Sequence, residues 1–294
     1  VQGLYKIYND GILVQEFTNV ITTQGKNRIR QILSGKTTGF ASSILVGIGS
    51  TTPTANDTKL SFAVEGANIM NTMVDDVNNK VYFKTSLPVD KQYRIYELGC
   101  YSTNSATAKQ YQQNALLITF GDVTNWTDTS GTHTLSSTNT RLGVSSISYS
   151  LLAAGVARGS VPFQIDLGQL LSDTEFTIAY FANNIDNLKI RFKSSASDYW
   201  EATIVPATNN AYNISSITKS SFVATGIPDW SNISILEIQA TATASAGTID
   251  LDSIRYDAVS TAESILLSRA LPSSPILKPS GSTMDIEYVL EGVV

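Results

Sequence analysis

Six stretches between residues 160 and 258 share one pattern: SVPFQIDL (160–167), FTIAYFA (176–182), LKIRFKS (188–194), YWEATIVP (199–206), SILEIQATATA (234–244) and GTIDLDSIRYDA (247–258). Each alternates apolar with polar or small residues and is rich in β-branched and aromatic side chains, as half-buried strands are. Loops of Ser, Thr and Asn separate them, and no helical period intervenes. Strands at this spacing read as two antiparallel sheets packed face to face.

The rest of the composition points the same way. Charged residues are 15% of the 294, and the apolar fraction is 42%. Few Lys and Glu with many Ser, Thr and Asn disfavours long exposed helices. The net charge of −5 gives no electrostatic reason to expect nucleic acid, which wants a basic patch. No run of about 18 apolar residues exists, so membrane insertion is not expected, and VQGLYKIYNDG (1–11) shows no leader pattern.

Charge also divides the chain. Residues 119–259 hold 7 Lys/Arg against 13 Asp/Glu, a net of −6, and the remainder holds 13 against 12. Such asymmetry marks separate modules. Outside the central stretch, LYKIY (4–8) and ILVQEF (12–17) flank Asn9-Asp10-Gly11, a strong hairpin signal. A helix follows, capped by Thr22 or Thr23 and ended by Gly35. Ile29, Ile32 and Leu33 form its apolar stripe, and Lys26, Arg28 and Arg30 its wet side. MDIEYVLEG (284–292) alternates as a strand and should complete the first module after the insertion. The expectation is an all-β, mainly antiparallel protein. A small β-rich domain with one surface helix, residues 1–118 and 260–294, is interrupted by an inserted β-sandwich, residues 119–259.

Nothing in the chain spells out catalysis. It has one cysteine, Cys100, in the strand-like YELGCYS (96–102), and one histidine, His133, in a polar stretch. A lone thiol without a neighbouring base reads as a packed residue, and zinc, phosphate-loop and serine-elbow spacings are absent. The carboxylates Asp186, Glu201 and Glu237 could serve a glycosidase only as a facing pair across a cleft.

Three stretches of the outer module resemble a family of bacteriophage tail, baseplate and virion-decoration proteins. They are LVGIGSTTPTANDTKLS (45–61), YRIYELGCYS (93–102) and LLSRALPSSPILKPSGSTMDIEYVLEG (266–292). The resemblance implies a virion protein that assembles with other particle proteins and with further copies of itself, without catalysis. The insertion resembles carbohydrate-binding jelly rolls through DVTNWTDTSG (122–131), TGIPDWSNISILEIQA (225–240) and GTIDLDSIRYD (247–257). That likeness implies a host-surface glycan as ligand and no cofactor beyond a structural calcium, for which the matching acids are Asp122 and Asp252.

Sugar binding wants aromatic faces beside polar groups. In YWEATI (199–204) the even positions Trp200, Ala202 and Ile204 share an apolar face, which leaves Tyr199 and Glu201 on the other. Tyr212 completes the candidate set, and Trp230 is expected to pack at one end of the sandwich. The rival expectations are a glycan-active enzyme or its accessory module, and a decoration protein that only cements its neighbours.

Overall fold

The structure is a computed structural model, and it describes residues 1–37, 39–103, 116–257 and 264–292. The chain divides into two compact units, Val1–Gln113 with Val259–Val294, and Asn114–Ala258. Among the described residues, no helix is long and apolar enough to cross a membrane. Almost all regular structure is antiparallel β-sheet.

The first unit opens with β1 (Gln2–Asn9), β2 (Ile12–Thr18), β3 (Val20–Ile21) and helix α1 (Thr23–Leu33). Then come β4 (Ser43–Gly47), β5 (Ala63–Asn68), β6 (Asn71–Asp75), β7 (Lys80–Leu87), β8 (Tyr93–Ile95) and β9 (Glu97–Thr103). The second unit comprises β10 (Leu116–Thr119), β11 (Thr127–Ser130), β12 (His133–Ser136), β13 (Ser146–Leu151), β14 (Val156–Ile165) and β15 (Glu175–Asn183). It continues with β16 (Ile185–Lys193), β17 (Tyr199–Ile204), β18 (Ala211–Thr218), β19 (Val223–Thr225), β20 (Ile233–Ala242) and β21 (Gly247–Tyr256). The first unit is completed by β22 (Ser264–Ala270), β23 (Ile276–Lys278) and β24 (Met284–Glu291).

In the first unit, the hairpin turn at Asp10 (φ 48°) and Gly11 (φ 80°) joins β1 to β2, the left-handed geometry that Asp-Gly favours. Strand β24 lies between β1 and β7, at the centre of a five-stranded sheet ordered β2-β1-β24-β7-β6. A second sheet runs β3-β22-β9-β4-β5. The Tyr5 hydroxyl of the first sheet meets Ser268 of the second at 2.9 Å, and Tyr288 stacks beside Tyr5 at 5.1 Å. Cys100 is buried, and burial pushes its thiol pKa well up, so it packs rather than reacts.

Helix α1 is capped by Thr22, whose hydroxyl accepts from the Gly25 N–H at 2.9 Å. Its buried side differs from the expected stripe. Gly25 lies against β22, where a β-carbon would sit 2.1 Å from the Leu267 carbonyl oxygen. Only glycine admits this approach, and it turns Arg28 inward, where its Nε donates to the Gly39 carbonyl at 2.8 Å. Lys26 and Arg30 remain exposed, and Leu33, expected in the apolar stripe, is 72% exposed.

The three stretches that carry the virion-protein resemblance converge on one buried cluster. Glu97 of β9 is fully buried and accepts from the backbone N–H groups of Gly49 (3.1 Å), Ser61 (3.1 Å) and Phe62 (2.8 Å). Arg269 of β22 donates to it from Nε at 3.0 Å and Nη2 at 2.7 Å, and reaches Asp57 from Nη1 at 2.7 Å. Asp57 in turn accepts from Thr54 N–H and Oγ1–H. The Thr/Pro loop between β4 and β5 is thereby pinned to β9 and β22. Lys278, also fully buried, donates to the carbonyls of Lys91 (2.9 Å), Pro279 (3.0 Å) and Val89 (3.4 Å). These charged residues hold the loops around them to the sheet.

The second unit is a sandwich of two six-stranded sheets. One runs β12-β13-β21-β15-β18 with β10 paired to β21, the other β11-β14-β20-β16-β17-β19. Between them, Ile178 and Tyr180 of β15 and Leu251 and Ile254 of β21 face Leu188, Ile190 and Phe192 of β16 in one core. Strand β10 sets Ile118 opposite Ile254, so the sandwich takes up the chain before the expected boundary at residue 118. The expected return at residues 259–260 lies outside the described residues.

Candidate functional site

Period-two alternation divides β17 as expected. Ala202 and Ile204 are buried in the core, and Trp200 packs against it, stacked on Trp230 at 5.1 Å. Tyr199 and Glu201 therefore point to the outer face of their sheet. Register supplies their company. Glu201 pairs with Arg191, Arg191 with Glu237, and Glu237 with Ser160, in one row across β17, β16, β20 and β14. The next row is Thr203, Lys189, Gln239 and Arg158. On the other side, Tyr199 faces Lys193.

These side chains form one continuous polar platform. Lys189 Nζ donates to Glu201 Oε1 at 2.9 Å, and Arg191 Nε to Glu201 Oε2 at 2.6 Å. Arg191 Nη1 also donates to Glu237, whose other oxygen accepts from Lys193 at 3.2 Å. Arg158 grips the Gln239 carbonyl oxygen from Nε (3.0 Å) and Nη2 (2.6 Å). The Tyr199 ring lies 5.4 Å from the Arg191 guanidinium carbon and 5.8 Å from Lys193 Nζ. An aromatic ring beside the planar groups of Arg, Glu and Gln is the kind of surface on which sugar rings stack and sugar hydroxyls pair.

The electrostatics bear on catalysis. Burial alone would raise Glu201 and Glu237, but their lysine and arginine donors outweigh it and hold both below the usual carboxylate range. A glycosidase needs one of two carboxyls kept protonated near neutral pH. Here both are ionised and share a guanidinium. Asp186 is exposed and engaged by Asn187 at 2.8 Å.

Tyr212 does not join this platform. It stands opposite Phe181 on β18, next to the core-facing Tyr180, and so lies on the outer face of the other sheet. Its hydroxyl donates to Asp252, and the Arg141 guanidinium covers its ring at 3.8 Å. Asp252 is the extra residue of a β-bulge: Ala179 faces Ser253 and Tyr180 faces Leu251, with Asp252 unmatched between them. It also accepts from the backbone N–H groups of Arg141 (3.0 Å) and Leu142 (3.3 Å).

This geometry tests the expected calcium site. Calcium takes six to eight oxygens, whereas the hydrogens of Tyr212, Arg141 and Leu142 are aimed at Asp252. Asp122 is exposed in a 3-10 turn, and among the described residues no three His, Cys, Asp or Glu side chains converge. The residues present do not fit the ion. Asp252 is a buried anchor instead, and burial pushes its carboxyl up to about 6 from 3.8, against the pull of its three donors.

A pH dependence follows. The folded state holds this proton more tightly than the unfolded chain, so ionising Asp252 costs stability. The cost is full above the folded value and vanishes below the unfolded one; it amounts to about 3 kcal/mol overall. Wild type should therefore gain roughly 1 kcal/mol over Asp252→Asn between pH 7 and pH 5, since the other carboxylates cancel in the difference. Paired denaturation curves at the two pH values measure this, and a gap that is constant or moves the other way refutes it. Neither calcium nor a chelator should shift the melting temperature.

The histidine lies in a second network that spacing alone could not reveal. His133 Nδ1 and Asp128 Oδ2 are 2.9 Å apart, Tyr149 donates to the other Asp128 oxygen, and the Trp126 indole donates to Tyr149 at 2.7 Å. Gly159 leaves room for both rings. The cluster ties β11 to β12 and β13 across the two sheets at one end of the sandwich.

No protein-family model matches the chain, and no characterised protein matches it in sequence. Among solved structures, a family 11 carbohydrate-binding module from Clostridium thermocellum, in complex with a β-1,3-1,4-mixed-linked tetrasaccharide, is similar at 19% identity. It covers 49% of this chain and 95% of its own, with a TM-score of 0.37. A carbohydrate-binding module of the β-sandwich superfamily covers 74% of this chain and 84% of its own at 11% identity and a TM-score of 0.37. The enzymatically active domain of tailspike protein 4 from bacteriophage CBA120 covers 49% of this chain and 22% of its own, at 17% identity and a TM-score of 0.34.

Proposed function

We propose that this chain is a non-catalytic glycan-binding component of a bacteriophage particle. Its first unit docks on neighbouring virion proteins, and its sandwich binds host-surface glycan through the outer face of β14, β20, β16 and β17. The observation that carries the binding reading is the platform itself. Planar polar groups are held side by side by ion pairs, with the Tyr199 ring beside them. A sugar meets donors and acceptors that need no reordering, which lowers the cost of binding. The virion reading rests on the three motif stretches of the first unit, from which Asp57, Glu97 and Arg269 meet in one cluster.

Purified full-length chain should be retarded in affinity electrophoresis through polysaccharide extracted from the host surface. Tyr199→Ala should weaken retention about tenfold, the equivalent of roughly 1.4 kcal/mol, while Tyr212→Phe should leave it unchanged. No retention on any surface polysaccharide, or equal retention of Tyr199→Ala, defeats the binding reading. Release of reducing ends would establish the rival enzyme, and antibody labelling of intact particles that misses the virion would remove the docking role.

A further inference from the structure

Charge on the second unit is distributed unevenly. Of the 7 Lys/Arg between residues 119 and 259, four lie on the platform: Arg158, Lys189, Arg191 and Lys193. Of the 13 Asp/Glu in that stretch, Glu201 and Glu237 fall in the same register rows, and Asp186 lies at the far end of β16 in a bulge, engaged by Asn187. The stretch carries a net charge of −6, yet the four cations Arg158, Lys189, Arg191 and Lys193 against Glu201 and Glu237 leave these six residues net positive by two. Asp198, in the turn between β16 and β17, is already engaged by Ser195 at 2.6 Å and the Ile227 N–H at 3.0 Å.

Resting on the glycan-binding reading above, we infer that the ligand is an anionic polysaccharide, bearing carboxylate or sulfate groups, that lies across β14, β20 and β16. Each carboxylate of the platform is already met by two cations: Glu201 by Lys189 and Arg191, Glu237 by Arg191 and Lys193. A carboxylate or sulfate only accepts hydrogen bonds, and the Lys and Arg side chains of this surface only donate them. Arg158 and Lys189 stand at its rim, with side chains 36% and 31% exposed. At strand spacing and rise, the farthest two of the four cations, Arg158 and Lys193, lie about 16 Å apart. Neighbouring cations of the patch lie within about one Debye length at 0.1 M salt, so a polyanion laid on it senses them together while more distant acids are screened. An acidic chain would be repelled from the rest of the sandwich and guided to this one face.

The experiment measures retention of the whole chain on polygalacturonate (carboxylate), dextran sulfate (sulfate) and neutral barley β-glucan, in 50 and 500 mM NaCl. Retention by at least one polyanion, weak or absent on β-glucan and lost at high salt, is expected. Arg158→Gln and Lys189→Gln should each reduce it several-fold, and the two can be compared because each side chain is partly exposed and its loss spares the core. Lys26→Gln, an exposed cation of the first unit, should leave retention unchanged. Stronger binding to β-glucan than to either polyanion overturns the inference while glycan binding stands. Binding to none of the three overturns it as well, while the glycan reading itself is decided separately by retention on host-surface polysaccharide. Equal losses in Lys26→Gln would show unspecific attraction to the whole chain and overturn the assignment to this face.

Discussion

Arg269→Met lowers the unfolding free energy of the first unit by about 3–5 kcal/mol, the usual cost of removing one partner from a buried ion pair. Glu97 would then stay in the interior with three backbone N–H groups but no countercharge. Asp57 would lose its cation too, freeing the loop that Thr54 and Asp57 shape. On a unit of this size, such a loss moves the melting transition down by on the order of 10 °C. Arg269→Lys keeps the charge but loses the fork that reaches Glu97 and Asp57 together, so an intermediate loss is expected. Thermal melts resolve the two units separately when hydrogen exchange is followed at β4 and β9 for the first unit and at β15 and β16 for the second. A shift under 2 °C for Arg269→Met would mean the cluster is incidental to stability.

Excising the whole sandwich should leave the first unit folded and abolish glycan binding. Thr103 and Ser264 are register partners in the β9–β22 ladder, so their α-carbons are about 5 Å apart. The chain thus leaves and re-enters between two neighbouring antiparallel strands. Replacing residues 104–263 by a five-residue Gly-containing turn converts this site into an ordinary hairpin. The insertion is closed in the same manner, with Leu116 paired to Arg255 across β10 and β21. Shortening a flexible loop of that size lowers closure entropy by up to about 3 kcal/mol, so the truncated unit should melt no lower than in the full chain. The product should be soluble, β-rich by circular dichroism and unretained by polysaccharide. An insoluble product, or one that still binds glycan, would place either the core or the site across the proposed division.

Much of this architecture was legible in the sequence because its signals are local. Asn9-Asp10-Gly11 dictates a turn by itself, and alternation in YWEATI separates the faces of β17 without reference to any other strand. What could not be read depends on partners. The platform residues Arg191, Lys193, Glu237 and Arg158 are brought together by register, which the turns between strands set and a single strand does not encode. Tyr212 and Tyr199 are both aromatic candidates for stacking on sugar, yet the two sheets send them to opposite faces. The bulge at Asp252 breaks the very alternation from which its role would be inferred. The inward turn of Arg28 depends on how closely Gly25 lets the helix approach β22, a distance that helical periodicity does not report. The expected boundary at residue 118 cuts through β10, because LLIT is apolar without alternation and only its pairing with β21 ties it to the sandwich.

The position of β24 has a consequence for biosynthesis. This strand separates β1 from β7, and its ladder runs from Gln2 opposite Glu291 to Asn9 opposite Met284. A ribosome therefore delivers the outer strands of that sheet long before its middle. The sandwich is contiguous between Asn114 and Ala258, so its full set of pairing partners emerges while the earlier unit still lacks β22, β23 and β24. At the usual elongation rate of about 5–20 residues per second, the N-terminal hairpin waits several seconds after the sandwich is complete. The insertion is encoded second and assembled first, so the nascent chain reaches its final strands already carrying a finished domain.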